Sequence, residues 1–183
     1  VQGVGCMQPR GPLMIEHRLI ERMIGRVESE LQRIEQSGRV DPLFIDVAVD
    51  FIRTYADRTH HGKEEQIMFR ALEKKNLSEE DRLLMHELVQ EHIYGRNITA
   101  QLVEANRHYK SGAEKALSTI VVKLKTLVDF YPRHIQKEDK RFFPDTMGYM
   151  SQDEQEQMLK EFWEFDRQMI HEKYRMVVDE LRG

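Results

Sequence analysis

Three features of the sequence predict an all-α protein, an up-down-up-down four-helix bundle with an additional C-terminal helix. Apolar residues recur three or four positions apart through five successive segments. Short turns join those segments, which makes sequence neighbours antiparallel. No strand pattern and no glycine-rich phosphate loop interrupts them. A chain of 183 residues suits one domain with a sizeable core and is short for two. The expected layout is a flexible N-terminal segment over 1–12, a bundle over 13–145 and a C-terminal helix over 151–182, with 13–183 forming one domain.

The first helix follows a seam at Leu13, His17, Ile20, Ile24, Val27, Leu31 and Ile34, so His17 takes a core slot. Ser37-Gly38 signals its end, and Asp41-Pro42 supplies an N-cap and first-turn proline for the next helix. That helix runs from about Pro42 to Lys75 with Val49, Ile52, Ala56, His60, Glu64, Ile67 and Ala71 on one stripe. The pair His61 and Glu65 repeats the His-to-Glu spacing about 100° round the helix. Periodicity favours His60 and Glu64.

Ser78 can cap the third helix, with Asp81 reaching back. Its stripe is Met85, Leu88, His92, Gly95, Thr99 and Leu102, while His86 falls on a flank. Lys110-Ser111-Gly112 ends it. The fourth helix, from about Ala113 to Phe142, carries Leu117, Val121, Leu124, Val128, Tyr131, His134 and Glu138. Pro132 predicts a kink before the last two, and Pro144 is expected to stop the helix. The fifth helix presents Met158, Phe162, Phe165, Met169, Tyr174 and Val177 and is expected to pack outside the four.

Charged residues make up 33% of the chain and the formal net charge is −4, which gives no basic excess for nucleic acid. No run approaches the roughly 18 apolar residues of a membrane span, and residues 1–12 lack the apolar core of a secretory signal. The expectation is a cytoplasmic protein that uses neither nucleic acid nor a membrane as partner. Cys6 is the only cysteine, which excludes an intramolecular disulfide and a multi-thiolate metal site. Met14 and Met23 read as core filler, and His108 and His171 as helical surface residues.

Polar residues on core stripes need partners, because an unpartnered buried polar group costs roughly 1–3 kcal/mol. Four successive helices place His17, His60, His92 and His134 on their seams, and two of them add Glu64 and Glu138 four residues later. In an antiparallel bundle these six side chains fall at one end. Imidazoles and carboxylates without thiolate suit iron, manganese or zinc, and six ligands are too many for one tetrahedral zinc. Two ions bridged by carboxylates fit better.

The segments Ile15-Glu16-His17-Arg18, His60-His61-Gly62-Lys63-Glu64-Glu65, Glu91-His92 with Gly95-Arg96, and His134-Ile135-Gln136-Lys137-Glu138-Asp139 with Phe142-Phe143-Pro144 resemble the hemerythrin-like (HHE cation-binding) proteins. The resemblance covers about residues 13–145 and implies a non-heme di-iron centre in a four-helix bundle. It implies His17, His60, Glu64, His92 and His134 as ligands, with Glu64 and Glu138 bridging. The oxygen carriers of that family have a second histidine on the third helix where this chain has Leu88, which leaves room for water, another side chain or a small molecule. Their last carboxylate corresponds to Asp139, whereas helical spacing favours Glu138. Two functions follow as expectations: reversible binding or sensing of dioxygen or nitric oxide, or a redox enzyme or iron donor acting in peroxide reduction or iron–sulfur repair. In the second, Tyr131 is a candidate redox or proton donor.

Overall fold

The computed structural model describes residues 8–180, with side chains through Arg175. Cys6 and most of the N-terminal segment, and Val177 among the stripe positions, lie outside the residues whose side chains are described. Helix α1 is Arg10–Ser37, so it begins three residues before the expected Leu13. Helix α2 is a continuous rod over 42–72, in which α-helical Pro42–Phe51 passes into π-helical Ile52–His61 and Glu64–Phe69 and ends as α-helical Arg70–Leu72. Helix α3 is Glu79–Lys110. Helix α4 runs over 116–146 as Ala116–Lys137, a π-helical turn Glu138–Phe142, and Phe143–Thr146. A 3₁₀ turn, Met147–Tyr149, leads to α5, Gln152–Glu180. Among the described residues there is no strand, and no helix is long and apolar enough to cross a membrane.

The helix ends follow their local chemistry. Gly38 takes φ +67° and donates its N–H to the Ile34 carbonyl at 2.8 Å, and Asp41 caps α2 by accepting from the Leu43 N–H at 3.0 Å. Ser78 accepts the Asp81 N–H at 3.1 Å, but the reciprocal half of the expected capping box is built differently. The Ser78 N–H goes to the Tyr149 hydroxyl at 3.1 Å, and that hydroxyl donates to Asp81 at 2.6 Å. A residue from the turn before α5 thus completes the cap. Pro144 does not stop α4. It sits in the first turn of the α-helical piece after the π turn, where a missing N–H is harmless.

The four rods close a ring in which α1 meets α4, α4 meets α3, α3 meets α2 and α2 meets α1, and α5 packs against the π-helical part of α2. Their interior divides into two apolar layers. One contains Ile20, Ile24, Ala56, Ile98, Leu124 and Tyr131; the other contains Leu13, Met68, Leu88, Phe142, Phe143 and Phe162. On every rod the polar seam residues fall between a residue of the first layer and one of the second. They therefore form a middle layer rather than the end of the bundle, because α1 begins before Leu13 and α4 continues past Glu138 far enough to cap them.

The seam of α1 matches the expected positions. On α2 it slips after Glu64, where Met68 and Leu72 are buried in place of Ile67 and Ala71. The π-helix explains this. Hydrogen bonds from i to i+5 put more residues in each turn, so each residue rotates by less than 100° and the buried positions 56, 60, 64, 68 and 72 recur every four. Leu124, fully buried in the first layer, tests the independence of the layers. Leu124→Ala is expected to lower stability by about 2–5 kcal/mol in chemical denaturation while leaving metal content unchanged.

Candidate metal centre

The middle layer gathers all six sequence-predicted residues and one more. His17, His60, Glu64 and Glu138 each offer a ligand atom within 4.8 Å of the others, and His61, His92 and His134 form a second such group. The side chains of all seven are buried. The two carboxylates join the groups. Glu64 turns Oε1 to His60 Nε2 at 3.4 Å and Oε2 to His92 Nε2 at 3.4 Å. Glu138 turns Oε2 to His17 Nε2 at 3.2 Å and Oε1 to His134 Nε2 at 3.4 Å and His92 Nε2 at 3.6 Å. Each therefore directs one oxygen to each group.

Most of these inward atoms have no hydrogen-bond partner. The orphans include Nε2 of His92 and of His134 and both oxygens of Glu64 and of Glu138. Nε2 of His17 instead faces Nε2 of His60 at 2.8 Å, nitrogen against nitrogen. Buried polar atoms are rarely left this way, and each costs roughly 1–3 kcal/mol. The atoms left over are imidazole nitrogens and carboxylate oxygens, the donor set that a transition-metal ion takes. The residues present fit metal.

The opposite edge of each ring is held by a carboxylate. Nδ1 of His17 lies 2.7 Å from Asp139, Nδ1 of His60 2.8 Å from Glu16, Nδ1 of His92 2.7 Å from Glu65, and Nδ1 of His134 2.8 Å from Glu91. His61 is the exception: its Nδ1 lies 3.5 Å from Asp57 without a hydrogen bond. Such contacts fix the ring and its tautomer so that Nε2 faces inward. Each carboxylate is in turn paired with a cation: Asp139 with Arg18, Glu16 with Lys63, Asp57 and Glu65 both with Arg96, and Glu91 with Lys137.

Burial dominates the electrostatics. It holds His60 and His61 well below the ordinary imidazole value, and neighbouring rings add to the effect. Burial, reinforced by the charge of Glu138, pushes Glu64 well above the usual carboxylate range. Glu138 goes the other way. Burial opposes its charge, but His134, His17 and His92 outweigh burial and hold it well below that range. On His17 burial likewise disfavours charge, and the hydrogen bond to Asp139 with the nearby charge of Glu138 overcomes it and raises the ring to about 9.

Residues 11–146 match the family model described as the hemerythrin HHE cation binding domain. The chain belongs to the hemerythrin HHE family. No curated protein and no solved structure gives a match. A hemerythrin HHE domain binds cations, and the cluster in the middle layer is where this one has the donors for it. Helix α5 lies beyond the matched residues.

Two points of sequence reasoning change within this hemerythrin-like frame. Spacing set the His61 and Glu65 pair aside, yet the His61 ring stacks on His92 at 3.9 Å with planes 10° apart, and Glu65 holds His92. The π-helix over 52–61 is the reason, since its smaller rotation per residue lets adjacent histidines both face inward. The signal was the His60-His61 doublet beside a third helix that has Leu88, and no histidine, one turn before His92. Leu88 itself is fully buried in the apolar layer. Glu138 and Asp139 also both turn inward on a π turn, one into the cluster and the other onto His17 Nδ1. His86, His108 and His171 are exposed.

Glu138→Gln is expected to lower the number of metal ions retained after dialysis, whereas Asp139→Asn keeps the number and weakens affinity roughly 10- to 100-fold in chelator competition. Binding requires neutral imidazoles and charged carboxylates, so uptake is also expected to release protons and to weaken as pH falls.

Proposed function

We propose that this protein is a non-heme di-iron protein that binds or senses dioxygen or nitric oxide, with His17, His60, Glu64, His61, His92, His134 and Glu138 as ligands. The observation that carries the reading is the pair of buried carboxylates, each with one oxygen on each of two histidine groups. Three imidazoles and two carboxylate oxygens serve one position, and two imidazoles and two oxygens serve the other. Both fall short of an octahedral six, so an external ligand has somewhere to bind. Iron accounts for redox-dependent gas binding best among the metals that suit these donors, and manganese or zinc would suit the donors alone. When bound and reduced, an iron pair supplies the electrons that hold such a gas reversibly.

The chain's own residues do the rest. The layers above and below exclude bulk water, with Phe143 stacked on His17 at 5.7 Å and Phe130 on His134 at 5.3 Å. The outer carboxylates keep the rings aimed inward. A cavity of about 180 Å³ reaches His61 and His92 and gives a small molecule room beside the centre. Protein expressed with iron is expected to contain two irons per chain, and the reduced form is expected to gain a visible absorption band with oxygen that disappears on degassing. Iron-loaded protein with no such band, and none with nitric oxide, would sink the reading.

One observation favours a second reading, a di-iron redox enzyme acting on peroxide. The cavity wall includes Asp57, Arg96, Thr99 and Tyr131 beside Ile52 and Gly95, and the Tyr131 hydroxyl makes no hydrogen bond to the described residues. Burial pushes that phenol up, so it keeps its proton and can offer its O–H as a hydrogen-bond donor to a bound peroxide. If the protein turns over peroxide, Tyr131→Phe is expected to slow steady-state turnover by about 10²-fold or more. Unchanged turnover in that variant would remove Tyr131 from the chemistry.

A further inference from the structure

The five imidazoles of the centre are not held alike. Arg18, Arg96 and Lys137, which pair with the outer carboxylates of the other four, keep between 22% and 55% of their side chains exposed. Lys63 is 0% exposed. Its ammonium meets Glu16 on one side and Asp166 of α5, at 2.7 Å, on the other. The Phe162 ring lies 5.9 Å from Nζ. Its chain neighbour Gly62 is covered by Phe165 so closely that an added Cβ would come within 2.7 Å of that ring. Asp166, Phe162 and Phe165 all belong to α5, outside the matched domain.

A buried cation is a poor way to fill space, because an apolar side chain of similar volume usually does so with less loss. Lys63 can act only through what it touches. One of its partners, Glu16, spends its other oxygen on His60 Nδ1. Lys63 therefore fixes the direction in which Glu16 accepts from His60, and by drawing on the negative charge of Glu16 it limits how much donor strength His60 gains. We propose that Lys63, paired by charge with Asp166, is a positioning residue for His60, and that α5 is thereby a working part of the metal position served by His17 and His60. The inference rests on the metal-binding reading above and not on gas binding.

The test uses the full-length protein loaded with ferrous iron, with release followed by a chromogenic ferrous chelator and the two irons distinguished by Mössbauer spectroscopy. Lys63→Met is expected to release iron at least about tenfold faster and to shift one of the two iron signals while leaving the other in place. Asp166→Asn is a conservative change at a partly exposed side chain and carries the test if Lys63→Met does not fold. Its expected effect has the same direction and smaller size. Lys75→Met breaks a different tie to α5, the pair with Glu154, and is expected to behave as wild type. Wild-type release rates and spectra in both Lys63→Met and Asp166→Asn overturn the inference, as does a Lys75→Met effect equal to that of Lys63→Met, which would assign the influence to α5 docking in general. Wild-type protein that holds iron but forms no gas adduct overturns the gas-binding reading and leaves this inference standing.

Discussion

The constraint on which the rest of this structure depends is a layer of inward-facing polar atoms that the protein itself does not satisfy. Five imidazoles and two carboxylates lie between two apolar layers, and the inward oxygens and three of the ring nitrogens have no hydrogen-bond partner. Left so, these orphans would oppose folding by an amount comparable to the whole stability of a small domain. The arrangement makes sense when the missing partners are cations, which is what a hemerythrin HHE domain binds. Folding and metal binding are then one problem, because the layer that a metal stabilises is the layer that interrupts the core.

The charge of the site is managed in concentric steps. Imidazoles face inward, a carboxylate holds the outer edge of four of them and lies near that of His61, and a cation sits on each carboxylate. The chain alternates sign outward from the centre, so no charge is buried without an opposite one in contact with it. Most of these strings end at the surface. The one through His60 and Glu16 ends on the buried Lys63 and needs α5 to complete it. Arg96 closes two strings at once, on Asp57 and on Glu65, which couples His61 to His92 from outside as their stacked rings couple them inside.

The π-helical stretches supply the density of inward-facing donor groups. In an α-helix two adjacent residues diverge by about 100° and only one can face the core. Residues 52–61, 64–69 and 138–142 turn less per residue, so His60 with His61, and Glu138 with Asp139, serve the same centre in two roles. That local widening also explains why Pro144 sits within a continuous rod instead of ending it.

The sequence by itself determined the class and the order of the elements, because helical periodicity, caps such as Asp41 and Gly38, and polar intrusions on apolar seams are local signals. It also singled out the six polar seam residues, since four-residue spacing survives a change from α- to π-helix almost unaltered. Tertiary structure alone decided three things. His61 joined the cluster because hydrogen-bond register, which periodicity does not encode, turned it inward. The centre became a middle layer because the apolar residues beyond it on four separate rods close over it together. Lys63 became part of the site's surroundings because Asp166, more than a hundred residues further along the chain, folds back onto it. Contacts of that separation depend on how rods pack, and no local pattern of residues specifies them.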